Sequence, residues 1–184
     1  MAESTLTENY PADIALIARW RRGDERAATL LVERHALSLS RFIASLGVRG
    51  EVEEVVQDTF VRAFGSLDRF RSESSLRTWL FTIARNLVRD RIRADRARRD
   101  TVQIEDSDSV TEGDALDETV ADETAERVRL AVERLTPMQR EVFTLRVSEG
   151  MSYREIAKVL GSTEGAARVH YFNGMRSVKE FIDD

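Results

Sequence analysis

Apolar residues recur at intervals of three or four along most of the chain, a spacing that predicts amphipathic α-helices and an all-α fold. Two halves show this pattern, one on each side of an acidic stretch. The glycines Gly23, Gly47 and Gly161 lie where the pattern breaks, as expected of residues that end helices. The predicted helices cover 13–22, 24–46, 51–67 and 75–99 in the first half, and 123–135, 137–147, 152–160 and 162–181 in the second.

The second half predicts a helix-turn-helix. Ser152 and Glu155 have the spacing of a capping box, and Thr136, Pro137 and Gln139 form a similar start for the preceding helix. A small residue at 157, the turn at Gly161 and an apolar residue at 166 or 169 suit the close crossing of two helices. An ordinary helical hairpin is the alternative. In a helix-turn-helix the second helix lies in the DNA major groove, and its exposed candidates are Thr163, Glu164, Arg168, Phe172 and Arg176.

The fourth helix has one apolar side and one basic side. Leu76, Trp79, Leu80, Ile83 and Leu87 cluster on the first, and Trp79 is expected to be a core residue. Arg85, Arg89, Arg93 and Arg96 fall within an arc of about 80° on the other. A solvated face normally alternates in sign, whereas one sign dominates here, so the stripe favours contacts with phosphates. The loop before the helix, with Phe70 and small polar residues, is suited to an unstacked base.

The net charge of −5 conceals three blocks of different sign. Residues 1–99 carry 18 Arg and 14 acids (+4), residues 100–126 carry 11 acids and no base (−11), and residues 127–184 carry 10 bases and 8 acids (+2). The acidic block has no aromatic residue and little apolar surface to bury, which predicts a flexible linker. The predicted organisation is a helical domain at 11–99, a linker at 100–121 and a second helical domain at 122–184.

Composition excludes several classes of protein. There is no Cys, and His35 and His170 lie far apart, so we expect no disulfide, metal site or cofactor. Neither a membrane-spanning apolar run nor a signal peptide is evident, and the chain is expected to be cytoplasmic. Paired catalytic carboxylates, a phosphate-binding loop and a nucleophile–base pair are also missing from the pattern, which disfavours an enzyme.

Three stretches together resemble the extracytoplasmic-function group of the sigma-70 family of RNA polymerase sigma factors. EEVVQDTFVRAFGSLDRF is similar to the family's polymerase-binding helix, and SSLRTWLFTIARNLVRDRIR to its promoter-melting helix. LTPMQREVFTLRVSEGMSYREIAKVLGSTEGAARVHY resembles its C-terminal helix-turn-helix. The resemblance implies a non-enzymatic subunit that binds core RNA polymerase, directs initiation at promoters in a stress or envelope response, and is held by an anti-sigma factor.

The resemblance also implies roles for individual residues. Glu54, Gln57, Asp58 and Arg62 would face the polymerase. A base flipped out of the minus-ten element would bind in the loop 67–75, with Phe70, Arg71 and Ser74, while Arg85, Asn86, Arg89 and Arg93 would hold the DNA backbone. Thr163, Arg168, His170, Phe172 and Arg176 would meet the minus-thirty-five element. Asn173, Gly174 and Met175 stand where many relatives carry more bases, so contacts there are expected to differ.

One alternative function uses the helix-turn-helix alone. A stand-alone transcriptional regulator would make residues 1–99 a sensing or dimerising domain. The arginine stripe of the fourth helix argues against this reading, because a ligand-sensing bundle does not need it.

Overall fold

The computed structural model describes residues 4–48, 50–70, 73–101 and 120–183. Every regular element within these ranges is helical, as the apolar spacing predicts. The helices are α1 (Ser4–Trp20), α2 (Glu25–Ser45), α3 (Val52–Gly65), α4 (Leu76–Thr101), α5 (Val120–Glu133), α6 (Pro137–Phe143), α7 (Tyr153–Leu160) and α8 (Glu164–Asp183). A 3₁₀ turn, Leu67–Arg69, follows α3, and a π-helical turn, Thr144–Ser148, follows α6. Most of the predicted linker, 102–119, lies outside the described residues.

The N-terminal half packs α2, α3 and α4 around an aromatic centre. Phe42 of α2 and Phe81 of α4 are fully buried, and their rings meet edge to face with centroids 5.0 Å apart. Truncating a buried Phe to Ala typically lowers the free energy of unfolding by about 3–5 kcal/mol, so this pair contributes much of the stability of the N-terminal half. Trp79 is half-buried against the same core.

Side-chain caps fix where two of these helices begin. The carboxylate of Asp24 accepts a hydrogen bond from the backbone N–H of Arg26, at 3.1 Å, and starts α2. The hydroxyl of Ser75 accepts one from the backbone N–H of Thr78, also at 3.1 Å, and starts α4. Each cap satisfies a backbone donor that has no partner within its helix.

The structure changes the predicted start of α1. The helix begins at Ser4, not at residue 13, and Asp13 lies within it. There the carboxylate of Asp13 is buried, 2.8 Å from Arg34 and 3.0 Å from His35, both of α2. These two contacts join α1 to α2, and they explain why His35 is found on the buried face of α2.

The C-terminal half contains the predicted helix-turn-helix, formed by α7 and α8. Both predicted capping boxes are present, at Thr136 with Gln139 and at Ser152 with Glu155. Gly161 adopts φ +62°, the left-handed conformation that ends α7. Two details differ from the sequence pattern. The helix predicted at 137–147 ends as α6 and continues as the π-helical turn, and α8 is capped by Thr163, not Ser162, because the Thr163 hydroxyl accepts from Ala166 N–H at 3.1 Å.

The two halves pack against each other through one continuous core. Buried residues of α6, α7 and the π-helical turn, among them Val142, Leu145 and Ile156, belong to the same apolar cluster as Phe42 and Phe81. Helix α7 lies on α4, and the π-helical turn contacts α2. The C-terminal half therefore covers one side of the basic helix α4.

Candidate nucleic-acid interface

An acidic face, formed by Glu54 and Asp58 of α3 and by Glu51 just before the helix, is held by one arginine of α4. The guanidinium of Arg91 lies 2.8 Å from Glu51, 2.8 Å from Glu54 and 2.7 Å from Asp58. Partial desolvation lowers the pKa of Arg91, but the hydrogen bonds to the three carboxylates outweigh it, so the pKa lies above its usual value. The carboxylates stay accessible, with side chains 45–62% exposed.

The other two residues that the sequence places on this face, Gln57 and Arg62, are also exposed. The structure therefore brings the four predicted polymerase-binding residues to one helix and leaves them open to solvent. It adds Glu51 and Arg91, which the sequence analysis does not single out. An i, i+3, i+7 series of acids is visible in the sequence, but nothing there identifies the arginine that pairs with it.

The loop before α4 is built on packed aromatic rings. Phe70 is only 8% exposed, and its ring lies 5.2 Å from that of Trp79. The Arg21 guanidinium donates to the carbonyl of Leu67 at 2.9 Å and fixes the loop from α1's side. Phe70 thus supports the loop and does not present its ring to solvent. Ser74 is half-buried, and Arg71 lies outside the described residues.

Three of the predicted DNA-contacting residues of α4 are exposed, and one is not. Asn86, Arg89 and Arg93 are open to solvent, with Asp90 3.6 Å from the guanidinium of Arg93. Arg85 is 5% exposed. Its Nε donates to the carboxylate of Glu141 on α6 at 2.6 Å, and its Nη1 donates to the carbonyl of Leu160 at the end of α7 at 3.2 Å. In this arrangement Arg85 is therefore occupied by the C-terminal half.

A second acid at the boundary is more deeply buried. The side chain of Glu149, just after the π-helical turn, is 1% exposed. It accepts from Arg41 Nε at 3.1 Å and also bonds Ser38 and Arg77, so α2 and α4 together surround it. Sequence analysis missed Glu149, because an acid between Ser148 and Gly150 looks like an ordinary solvated loop residue.

The start of α8 is an exposed surface of mixed chemistry. Thr163, Arg168, Phe172 and Arg176 are all exposed, and His170 is half-buried. Phe172 is 63% exposed, high for a large apolar side chain, and the guanidinium of Arg168 lies 5.2 Å from the ring centroid of Tyr153 on α7. The structure thus leaves the five predicted residues of the helix-turn-helix fully or partly accessible to solvent.

Two further properties concern the described residues only. No described helix is both long and apolar enough to span a membrane. Nor do the described His, Asp and Glu side chains come together in a group of three that could hold a metal ion.

The fold and these surfaces define a DNA-binding protein made of two helical units, the second with a helix-turn-helix. Family models agree: sigma-70 region 2 matches residues 31–98, and sigma-70 region 4 matches residues 125–178. The chain is similar to the ECF RNA polymerase sigma-E factor of Escherichia coli strain K12, with 29% identity over 175 residues that cover 90% of this chain and 92% of that protein.

Solved structures give the same result. The chain resembles CnrH, solved in complex with the cytosolic domain of CnrY, with 31% identity, a TM-score of 0.68 and coverage of 94% of this chain and 97% of that one. It also resembles the sigma factor RpoE of Bartonella quintana, solved with the anti-sigma factor NepR, with 28% identity, a TM-score of 0.64 and coverage of 83% and 96%. The chain belongs to the sigma-70 family, in its extracytoplasmic-function group. It is a sigma factor that directs promoter-specific transcription initiation, and the stand-alone regulator is not favoured.

Proposed function

We propose that the work of this sigma factor is divided between three surfaces. The acidic face of α3 binds core RNA polymerase, the basic face of α4 and the loop before it bind the minus-ten element, and the start of α8 binds the minus-thirty-five element. The proposed units are a region 2 domain at 11–99, a linker at 100–121 and a region 4 domain at 122–184. The observation that carries the proposal is the segregation of charge on neighbouring helices, with acids exposed on α3 and arginines on α4.

The α3 face suits a basic protein partner. Glu54 and Asp58 are accessible, and Arg91 holds their carboxylates in place, so little side-chain freedom is lost when a partner binds. Gln57 and Arg62 add donors on the same helix. Charge complementarity of this kind chiefly sets the encounter rate and the choice of partner.

The α4 face suits a nucleic-acid strand. Arg89 and Arg93 are one helical turn apart and can follow successive phosphates, and Asn86 lies a turn nearer the loop. Unstacking a base so that it can be captured costs about a few kcal/mol, and contacts between the loop and the base must offset that cost. Phe70 supports that loop from beneath, and Arg71 and Ser74 remain proposed contacts within it.

We extend the partnership with an anti-sigma factor to this chain, because the similar RpoE of Bartonella quintana was solved with one. The proposed site of action is the cytoplasm, where RNA polymerase and promoters are found. No cofactor or catalytic step is needed for this work, in keeping with sigma factors not being enzymes.

Binding to core polymerase tests the α3 assignment. Glu54→Gln with Asp58→Asn removes two charges from the proposed face, and Glu33→Gln with Glu180→Gln removes two exposed charges elsewhere. We expect the first pair to weaken binding about tenfold, equivalent to about 1.4 kcal/mol, and the control pair to leave it unchanged. Equal affinities for the two variants, each with wild-type helix content by circular dichroism, would contradict the assignment.

A further inference from the structure

One face of α8 exposes large apolar side chains to solvent. Val169 is 57% exposed and Phe172 is 63% exposed, and the residues that α8 buries lie on the opposite side of the helix. Positions 165, 169, 172 and 176 fall within an arc of about 60°, so Gly165 and Arg176 continue the same stripe. An isolated exposed apolar residue is common on protein surfaces, but two on one helix face point to a binding surface.

Neighbouring rings fix the orientation of Phe172. Its ring centroid lies 5.8 Å from that of Tyr171, which in turn lies 5.9 Å from that of Tyr153 on α7, and both pairs meet edge to face. Aromatic rings attract each other in this geometry. The Phe172 ring is thus held in place while most of its surface stays exposed, so little side-chain freedom is lost when it contacts a ligand.

Cationic side chains lie on and beside the stripe. Arg168, Arg176 and Lys179 are all exposed, and the Arg168 guanidinium is held 5.2 Å from the ring centroid of Tyr153. Cations of this kind bind DNA phosphates and set the position of a protein on the duplex without reading its sequence. They would bring the duplex to α8 and leave Val169 and Phe172 to face the edges of the bases.

The stripe cannot recognise bases by hydrogen bonds. The side chains of Val169 and Phe172 have no donor or acceptor, and Gly165 has no side chain. In the major groove thymine alone among the four bases presents an apolar group, its 5-methyl. Contact with that methyl group buries apolar surface, whereas contact with a polar base edge would remove water without replacing its hydrogen bonds. The stripe therefore favours thymine and disfavours the other three bases.

We propose that Val169 and Phe172 are specificity-determining residues, which contact the 5-methyl groups of neighbouring thymines in the major groove of the minus-thirty-five element. The inference rests on the proposed role of α8 and adds the chemistry by which α8 selects a sequence. The two residues are about 4.5 Å apart along the helix axis, and successive base pairs are about 3.4 Å apart. One thymine for each side chain therefore fits the spacing.

Removing only the methyl group tests the proposal. Holoenzyme is reconstituted from core RNA polymerase and the full-length chain. It is bound to duplexes that carry a start site mapped with this protein and random base pairs around minus thirty-five, and the bound duplexes are sequenced to find the preferred element. Uracil then replaces each preferred thymine in turn, which deletes the 5-methyl group and keeps every hydrogen-bonding atom of the base.

We expect the preferred element to contain neighbouring thymines, and uracil at either one to weaken binding of the parent holoenzyme about fourfold, equivalent to about 0.8 kcal/mol. Val169→Ala should remove the effect at one thymine, and Phe172→Ala at the other. Val147→Ala is the matched control, because Val147 is 51% exposed and lies in the π-helical turn, outside α8. It loses the same atoms as Val169→Ala and should retain both uracil effects.

The comparison of thymine with uracil in the parent holoenzyme needs no substitution in the protein, so it is independent of folding. Equal affinity for the two duplexes, or a preferred element without thymine, would overturn the methyl contact. A uracil effect that survives in both Val169→Ala and Phe172→Ala, or that is also lost in Val147→Ala, would overturn its assignment to these side chains.

The proposed role of α8 has a readout of its own. If Arg168→Ala with Arg176→Ala weakens binding to the preferred element but uracil does not, α8 binds the element and only the methyl contact is wrong. If the holoenzyme shows no preference for any base around minus thirty-five, the role of α8 is wrong and the methyl contact falls with it.

Discussion

The guanidinium of Arg91 on α4 lies 2.7 Å from the carboxylate of Asp58 on α3, and this contact links the two helices that carry the proposed polymerase and promoter surfaces. The same guanidinium also binds Glu51 and Glu54. Three acids on one helix face repel each other, and Arg91 offsets that repulsion from the neighbouring helix. The acidic surface is therefore maintained by a residue outside it.

Replacing Arg91 should loosen the α3–α4 pair. We expect Arg91→Gln to lower the free energy of unfolding by about 1 kcal/mol, a magnitude typical of a partly exposed charge network. Urea unfolding followed by circular dichroism measures the change. Arg96→Gln, on the same helix and exposed, is the matched control and should change stability much less. A loss in Arg91→Gln no larger than in the control would show that the network contributes nothing measurable.

Substitution by alanine should change the free energy of unfolding in opposite directions at Gly174 and Gly161. Gly174 is buried in the middle of α8, and an added Cβ would lie 3.5 Å from Gln139 and 3.7 Å from Leu135, which is ordinary contact. Gly174→Ala should therefore stabilise the protein by about 0.5–1 kcal/mol through helix propensity. Gly161→Ala should destabilise it by about 1–2 kcal/mol, because its φ of +62° is strained for any residue with a Cβ.

Thermal unfolding of the two glycine variants measures the difference. Gly161→Asn serves as control, since Asn tolerates the left-handed conformation better than Ala. A lower melting temperature for Gly174→Ala than for the parent chain would mean that α8 needs closer approach to α6 than the distances indicate.

Stability should depend on pH through Asp24. A hydrogen bond from Arg19 lowers the pKa of Asp24, and it outweighs the opposing effect of desolvation with the help of the attraction between the two charges and of the backbone N–H groups of Arg26 and Ala27. In the unfolded chain the Asp24 carboxyl titrates at about pH 4. Its interactions with Arg19 and the backbone therefore contribute fully to the free energy of unfolding above that pH. This contribution is lost as the pH falls through the lower pKa of the folded state.

Melting temperatures of the parent chain and of Asp24→Asn, measured at several pH values, test the direction of this pH dependence. Asn keeps the capping oxygen but loses the charge, so Asp24→Asn should melt lower than the parent chain at about pH 6, and the gap should narrow as the pH falls below about 4. A gap that is constant or that widens in acid would contradict the account.

Much of the fold is predictable because the helices and their starts are determined by residues that are close together in the sequence. The apolar spacing fixes the helices, and capping boxes such as Ser152 with Glu155 fix their starts within a few residues. The start of α1 at Ser4 and the π-helical turn after Phe143 were not predicted, because neither has a distinctive local pattern. The choice between Ser162 and Thr163 as the cap of α8 depends on one residue of register, finer than a periodic pattern resolves.

The candidate site is predictable only in part. Exposed positions such as Asn86 and Arg89 follow from the helical stripe. The pairing of Arg85 with Glu141, 56 residues away, does not, because an arginine in a stripe looks the same whether it faces solvent or another domain. The burial of Glu149 is likewise set by which surfaces the two halves bring together.

Transcription with purified core RNA polymerase tests the central claim most directly, namely that residues of α3 and α4 together direct initiation. The templates are genomic fragments that include the region upstream of the chain's own gene. We predict specific start sites that appear only when the protein is added, that are lost with Glu54→Gln/Asp58→Asn or Arg89→Ala/Arg93→Ala, and that persist with Glu33→Gln/Glu180→Gln. Start sites that do not depend on the protein, or that survive both sets of site substitutions, would contradict the account.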